Sequence, residues 1–283
     1  MSDITNKYLQ TIEDVSKGII DRKKHSLKRF HSNLDSEIVK FIDSCSQAMF
    51  PLVFDNDECG NSEQIDFLRR SSFVSRIFLH LSNLLFYLGK CRDEAASLSE
   101  RFLSKIPDIF EILETDAESC YEKDPACTSV DEAILCYPGF RAVMIFRIAH
   151  ELYLMNIEYL PRLLTEYAHR HTGIDIHPGA TIGRSFFIDH GSGVVIGETT
   201  VIGDGVVLYQ HVTLGARKFE LQADGNPVKG IKRHPNIGDN CVIYAGATIL
   251  GGDTTVGSNS VVGANVWLAH SVPEGSVVKK GDV

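Results

Sequence analysis

A six-residue repeat in the C-terminal part of the chain constrains the fold more than any other feature of the sequence. Between residues 172 and 268, Ile, Val or Leu recurs at every sixth position, with three interruptions. A period of six fits neither an α-helix nor a β-hairpin, and it is the repeat of a parallel β-helix. The repeat positions are Ile176, Ile182, Ile188, Ile196, Ile202, Leu208, Leu214, Ile237, Ile243, Ile249, Val256, Val262 and Leu268. The sequence therefore predicts a parallel β-helix over this region.

The residues that follow the repeat positions indicate how such a coil turns. Gly or Asn stands close behind the apolar residue, as in residues 201–205 (Val-Ile-Gly-Asp-Gly) and 236–240 (Asn-Ile-Gly-Asp-Asn). Gly, and less readily Asn, adopts the positive φ angle that a tight corner needs. Three hexads close one triangular coil, and stacked coils bury an apolar column that a single coil could not bury.

The first part of the chain follows a helical pattern instead. Glycine is scarce there, and apolar residues recur at spacings of three and four, as at Phe73 and Ile77. We expect six to eight helices, of which the last two span about 139–155 and 159–171. The acidic segment 55–60 lacks the closing Glu of a calcium loop, so we predict a solvated turn. Helix stops are predicted at Pro51, Pro107, Pro125, Pro138 and Pro161.

The change of period near residue 172 predicts an α+β chain of two domains. Residues 1–172 form the predicted helical domain, and residues 173–283 form the predicted β-helix domain. The repeat is interrupted by a basic loop at 216–235, and a loop of this length in a compact solenoid is usually functional or disordered.

Composition excludes several classes of protein. The net charge of −9 argues against nucleic acid or an anionic membrane surface as the main partner. No apolar run approaches the ~20 residues that a membrane span needs, and the N-terminus lacks the pattern of a secretory signal. The seven cysteines contain no Cys-x-x-Cys pair. We therefore expect reduced thiols in the cytoplasm, with no structural zinc or disulfide framework.

Two side chains near the start of the repeat are candidates for chemistry. The repeat slips by two residues across 189–193, and such an insertion pushes side chains out of the wall of the coil. His190 lies there, 15 residues after Asp175, close to the ~18 residues of one coil. A carboxylate beside an imidazole fixes its tautomer and stabilises the imidazolium. Spacing alone equally allows a surface histidine and a corner aspartate.

Several motifs together resemble the serine acetyltransferase family. They are Asp-Pro-Ala at 124–126, Thr-Gly-Ile-Asp-Ile-His-Pro at 172–178, Asp-His-Gly-Ser-Gly at 189–193 and Arg-His-Pro at 233–235. The resemblance covers about residues 124–272. It implies a left-handed β-helix and transfer of acetyl from acetyl-CoA to the hydroxyl of L-serine, the first step of cysteine biosynthesis, without a metal.

The resemblance also implies residue roles. His190, held by Asp175, matches the general base that activates the serine hydroxyl. Asp124 and Asp189 match the positions that hold the substrate ammonium. Arg233, whose planar guanidinium suits a carboxylate, matches the residue that binds the substrate carboxylate. His234 matches a further residue that holds the substrate. The positions along the groove for the CoA arm correspond to Gly215, Ala245 and Gly246.

Partners follow from the same resemblance. L-Cysteine, which differs from serine by a thiol, is expected to compete with serine as a feedback inhibitor. A homotrimer or hexamer with sites between neighbouring subunits is expected. The resemblance also implies that the helical domain supports oligomerisation and contributes to the substrate site, and that the β-helix domain carries the catalytic site. Some family members dock a C-terminal Ile into O-acetylserine sulfhydrylase, whereas this sequence ends in Val283; that partner stays open. Partners among nucleic acids or membranes are not expected.

Three other readings of the residues stay open. A hexapeptide acyltransferase with a sugar or amine acceptor would share the repeat, but it would have no use for the charges of Asp124 and Arg233. A metal hydratase would need three histidines at one seam, for which His190, His211 and His234 are the candidates. A non-catalytic scaffold would use the helical part as a binding module.

Overall fold

A computed structural model describes residues 2–21, 33–54, 63–218 and 220–282, with side chains from residue 10 onward. The turn predicted at 55–60 lies outside these residues. Two compact units are present, residues 1–32 and residues 33–283. The secondary structure changes from helices to strands between Thr172 and Asp175. The division into functional domains at residue 172 stays a prediction.

Helices make up the first part of the described chain. They are α1 (Ser2–Asp21), α2 (Leu34–Met49), α3 (Pro51–Phe54), α4 (Glu63–Tyr87), α5 (Arg92–Leu103), α6 (Ile106–Lys123), α7 (Val130–Cys136), α8 (Pro138–Leu154) and α9 (Leu160–Thr172). The described residues thus hold nine helices against the six to eight expected, and the last two are confirmed to within a residue. No helix in the ranges described above has both the length and the apolarity to cross a membrane.

The prolines divide into two groups by their effect on the helices. Pro125 follows the end of α6, and Pro51 and Pro138 begin new helices directly after α2 and α7, as predicted. Pro107 and Pro161 instead lie in the first turns of α6 and α9, so the stops predicted there are wrong. The first turn tolerates Pro because its backbone N–H would have no helical partner in any case.

Short parallel strands make up the second part. They are β1 (Asp175–Ile176), β2 (Thr181–Ile182), β3 (Phe187–Ile188), β4 (Val195–Ile196), β5 (Val201–Ile202), β6 (Val207–Leu208), β7 (Thr213–Gly215), β8 (Asn236–Ile237), β9 (Val242–Ile243), β10 (Thr248–Leu250), β11 (Thr255–Val256), β12 (Val261–Val262), β13 (Trp267–Leu268) and β14 (Val277–Val278).

The strands form three parallel sheets, one for each wall of a triangular coil. Sheet A has the order β1-β4-β7-β10-β13, sheet B has the order β2-β5-β8-β11, and sheet C has the order β3-β6-β9-β12-β14. Each strand pairs with the strand one coil away. The predicted α+β fold, helices followed by a left-handed parallel β-helix, is confirmed.

The repeat positions form the interior of the coil. All of them are buried, and none is more than 8% exposed, which confirms the predicted inward column. The two-residue slip across 189–193 lengthens the first coil: Asp175 pairs with Val195, 20 residues on, whereas Val195 pairs with Thr213, 18 residues on. Positive φ angles occur at corner residues, including Asn240 and Asn259.

A buried ion pair joins the helices to the first coil. The Arg147 guanidinium of α8 donates from Nε and Nη2 to the two carboxylate oxygens of Asp116 in α6, each at 3.1 Å. The same guanidinium donates to the carbonyl oxygens of Ile182 and Gly183 at 2.5 Å. Asp116 Oδ1 also accepts from the backbone N–H of Phe186 at 2.9 Å. With side-chain exposures of 7% and 1%, this pair fixes how α6 and α8 meet the coil.

Replacing Arg147 by Met should lower the free energy of unfolding by about 3–5 kcal/mol, because it leaves the Asp116 carboxylate buried without its partner. Denaturant unfolding of the purified chain measures this change. Arg184→Met is the matched control: Arg184 pairs with Glu111, but the two side chains are 45% and 68% exposed, so a change of about 1 kcal/mol or less is expected. Equal effects of the two substitutions would contradict the role of the buried pair.

Candidate active site

The predicted site residues lie at two corners of the coil. The C–A corner, where the chain passes from sheet C to sheet A, comprises residues 189–194 and the matching residues 209–212 and 244–247 of the next coils. The A–B corner, where the chain passes from sheet A to sheet B, comprises residues 197–200 and the loop 216–235.

His190 is the exposed centre of the C–A corner. Its side chain is 71% exposed, and its Nε2 lies 3.9 Å from Oδ1 of Asp189. Its backbone has a φ of 56°, in the left-handed region, which residues other than Gly rarely adopt and which is common at functional positions. At the next residue only glycine fits, since a Cβ on Gly191 would lie 2.4 Å from Ile174. The inserted corner therefore presents the imidazole to solvent beside one carboxylate.

Asp124 comes to the same corner from the helical part. It follows the last residue of α6, and its carboxylate accepts from the backbone N–H of Ala126 at 2.8 Å and from the Tyr137 hydroxyl at 2.5 Å. These hydrogen bonds, the one from Tyr137 first, lower the pKa of Asp124, and the His190 charge lowers it further. Asp124 and His190 thus interact electrostatically, although one follows a helix and the other lies in the coil.

An aromatic pair continues the corner in the next two coils. Tyr209 and Tyr244 follow β6 and β9 as Asp189 follows β3, and their rings stack at 5.1 Å with an interplanar angle of 9°. Burial, and then the charge of Asp189, raises the pKa of Tyr209. Sequence reasoning missed this pair, although each tyrosine directly follows a repeat position and could have been found by aligning the coils.

Asp175 has an ion-pair partner that the sequence did not predict. Its Oδ1 lies 3.4 Å from Nη1 of Arg162 in α9. No ion pair within 4.0 Å joins it to His190. The predicted contact assumed coils of about 18 residues, whereas the first coil has 20 and Asp175 stacks on Val195. The pairing of Asp175 with His190 stays a prediction.

The surroundings of Asp175 offer another set of donor atoms. Glu166, His169 and Asp175 have ligand atoms within 4.8 Å of one another. Arg162 already pairs with both carboxylates of this set, so a cation of the protein itself lies beside them.

The A–B corner holds Arg233 and His234. Arg233 donates from Nη2 to Glu198 Oε2 at 2.5 Å, and the other oxygen of Glu198 accepts from the Tyr153 hydroxyl at 3.3 Å. His234 accepts at Nδ1 from the backbone N–H of Thr199 at 3.0 Å. Burial, assisted by the charge of Arg233, lowers the pKa of His234 to about 4, so its imidazole is neutral at physiological pH. Sequence reasoning identified Arg233 but missed its partner Glu198.

The two sets of predicted substrate residues are separate within one chain. The strands of sheet A run from the C–A corner to the A–B corner. Asp124, Asp189 and His190 therefore lie at one end of these strands, and Arg233 and His234 lie at the other end. The three histidines considered for a metal hydratase divide in the same way, since His211 lies with His190 and His234 does not.

The residues predicted for the CoA arm lie at both corners. Gly215 ends β7 directly before the loop. Ala245 and Gly246 lie in the C–A corner, where the Gly246 N–H donates to the Gln210 carbonyl oxygen at 3.0 Å.

A cavity of about 300 Å³ adjoins the loop. Four basic and two acidic side chains line it, which favours an anionic ligand. They are Arg217, Lys218, Lys232, Arg233, Glu220 and Asp253.

Comparison with known proteins relates this geometry to one family. The pattern described as serine acetyltransferase, N-terminal, matches residues 62–144. A plasmid-encoded serine acetyltransferase of Synechococcus elongatus is 51% identical over 189 residues, which cover 67% of this chain and 59% of that protein. The serine acetyltransferase of Bacillus subtilis is 47% identical over 170 residues, which cover 60% of this chain and 74% of that protein.

A solved structure extends the similarity to the whole fold. Serine acetyltransferase 1 of Entamoeba histolytica, in complex with L-cysteine, superposes with a TM-score of 0.76 and 35% identity, covering 92% of this chain and 90% of that one. The chain spans only 59%, 55% and 51% of the length of three of the curated relatives that it matches.

Proposed function

Because this chain belongs to the serine acetyltransferase family, we propose that it transfers the acetyl group of acetyl-CoA to the hydroxyl of L-serine. The products are O-acetyl-L-serine and CoA. One observation supports the proposal most: at the C–A corner an exposed imidazole lies beside Asp189 and within electrostatic reach of Asp124. A base next to acidic groups suits an acceptor that carries both a hydroxyl and an ammonium.

The proposed chemistry is direct transfer. His190 accepts the hydroxyl proton as the serine oxygen attacks the thioester carbonyl, because an alcohol is a poor nucleophile without a base. The oxyanion that forms collapses and breaks the carbon–sulfur bond. The CoA sulfur leaves as a thiolate and takes the proton from the His190 imidazolium. Asp189 is the carboxylate that lies beside the ring, and Asp175 is the second carboxylate proposed to support it.

Substrate recognition follows from charge. Asp124 and Asp189 supply negative charge for the ammonium group of serine, and Arg233 supplies a planar donor fork for its carboxylate. We assign His234 to the support of Arg233, since its neutral ring lies directly next to it in the chain. A sugar acceptor would have no use for the charges of Asp124 and Arg233, which argues against that alternative.

The separation of the corners implies that a second copy completes the site. Arg233 and the His190 corner lie at opposite ends of sheet A in one chain, so a neighbouring subunit would bring its A–B corner to this C–A corner. Such a contact joins two different surfaces, and contacts of this kind close into rings. A trimer, or a hexamer made of two trimers, fits this arrangement.

Acetyl-CoA is proposed to lie along sheet A between the corners. Gly215, Ala245 and Gly246 would allow close approach of the pantetheine arm. The basic side chains of the cavity at the loop suit the phosphate groups of the co-substrate. Because of these basic side chains, we propose that the loop 216–235 contacts the phosphate groups of CoA.

Substitution of His190 by Ala should lower kcat with L-serine by about 10²–10⁴-fold or more, because the general base is lost. CoA thiol release measures the rate, with L-serine compared against glucosamine and other amino sugars as acceptors. His270→Ala, at an exposed position of the β-helix, is the matched control and should keep the parent rate. CoA release that does not depend on serine, or full activity of His190→Ala, would rule out the proposed reaction.

L-Cysteine should inhibit competitively against L-serine, because it carries the same ammonium and carboxylate and differs only in its thiol. Relatives whose structures contain bound cysteine support this proposal. Initial rates at several serine concentrations are the measurement, and the apparent KM for serine should rise with cysteine while kcat stays constant. Inhibition that saturating serine does not relieve would refute competition at this site.

Mixed assemblies should regain activity. His190→Ala and Arg233→Ala chains, co-expressed with different tags and purified as mixed oligomers, should recover about one third of the parent rate as trimers, because one of the three interfaces in every mixed trimer has both residues intact, and about one quarter as hexamers of two trimers. Each variant assembled alone is the control. Mixed oligomers that form but show no gain over the separate variants would contradict a site shared between copies.

A further inference from the structure

We propose that Tyr137 is a positioning residue that sets the affinity of the site for the ammonium group of the substrate, by holding the Asp124 carboxylate at the C–A corner. This inference rests on the proposed function, and it adds a residue to which neither the sequence motifs nor the resemblance gave a role. It predicts that a residue without direct access to the reacting atoms controls recognition of one substrate group and leaves the others unaffected.

The contacts of Asp124 orient its carboxylate and leave acceptor capacity for a ligand. One carboxylate oxygen accepts from the Ala126 N–H at 2.8 Å, and the other accepts from the Tyr137 hydroxyl at 2.5 Å. Each oxygen thus has one donor from its own chain and retains a free lone pair. Two donors from different directions fix the plane of the carboxylate, which a single contact would leave free to rotate.

Tyr137 itself is held at a junction of two helices. Its backbone N–H donates to the carbonyl oxygen of Ala133 in the last turn of α7 (3.2 Å). Its own carbonyl oxygen accepts from the backbone N–H of Arg141 in the first turn of α8 (3.0 Å). The start of α7 is fixed as well, because Ser129 Oγ accepts from the N–H of Glu132 at 3.1 Å. The hydroxyl therefore reaches Asp124 from a backbone with little freedom to follow a moving partner.

The chemical nature of the partner decides what Asp124 can bind. A tyrosine hydroxyl orients a carboxylate without cancelling its charge, whereas an arginine cancels most of it. Asp175 has an arginine partner of this kind, because Nη1 of Arg162 lies 3.4 Å from its Oδ1. Asp124 keeps its full negative charge for an incoming cation, and this difference assigns the ammonium of the substrate to Asp124.

Protonation states support this assignment. Donation from Tyr137 lowers the pKa of Asp124, and the same hydrogen bond raises the pKa of Tyr137. The carboxylate therefore stays ionised and the hydroxyl stays a donor through the physiological range. The titratable side chains that interact with Asp124 are Cys120, Glu132, Tyr137, His190 and Tyr209.

Substitution of Tyr137 by Phe removes the hydroxyl and keeps the ring. The KM for L-serine should rise about tenfold, as expected for loss of a hydrogen bond to a charged group, while kcat and the KM for acetyl-CoA stay within about twofold of the parent. The inhibition constant of L-glycerate, which has a hydroxyl in place of the ammonium, should stay unchanged. A general structural defect would weaken serine and glycerate alike.

Two further variants of the same chain complete the test. Asp124→Asn should also weaken serine and spare glycerate, and Tyr121→Phe, at an exposed position of α6, should behave as the parent. Parent activity with unchanged serine parameters in Tyr137→Phe, or equal losses for serine and glycerate, would overturn this inference alone. A parent chain without serine-dependent CoA release would instead overturn the proposed function, and this inference with it.

Discussion

The buried pair of Arg147 and Asp116 determines where the helical part meets the β-helix, and the candidate site depends on that contact. Asp116 lies in α6, which ends immediately before Asp124, and Arg147 lies in α8, which begins immediately after Tyr137. The guanidinium also binds two carbonyl oxygens of the first coil. One interaction thus fixes both ends of the segment that carries Asp124 and Tyr137 against the coil that carries His190.

The interior of the β-helix could be predicted from the sequence because its physical rule is local. Every sixth residue must be apolar, and the structure buries each of the predicted positions, from Ile176 to Leu268. The last two helices were predictable for the same reason, since their periodicity and flanking prolines lie in the segment itself. The helix stops predicted at Pro107 and Pro161 were wrong, because the same residue can end one helix or begin the next.

Contacts between coils, and between the helices and the coils, could not be predicted in the same way. The spacing of Asp175 and His190 suggested a contact, which stays a prediction. The 20-residue length of the first coil and the ion pair of Asp175 with Arg162 in α9 could not be found from that spacing. The stacked rings of Tyr209 and Tyr244 depend on the 35-residue offset that the long loop imposes between their coils. The pairing of Arg233 with Glu198 could also be inferred only from the way in which the coils stack.

Charge is distributed differently at the two corners of the coil. The C–A corner carries carboxylates with hydroxyl and backbone donors beside an exposed imidazole, whereas the A–B corner carries basic side chains around a cavity. Under the proposed function, an amino acid with both charges would bind both corners where two copies meet. Recognition of serine, and the discrimination against acceptors without charge, would then depend on assembly as well as on the fold of one chain.

The position of bound L-serine tests this account most directly. A crystal structure of the chain with L-serine should place the amino nitrogen about 3 Å from a carboxylate oxygen of Asp124. The serine hydroxyl should face the imidazole of His190 in the same subunit. Serine bound with its amino group turned away from Asp124, or at a place remote from the C–A corner, would contradict the account.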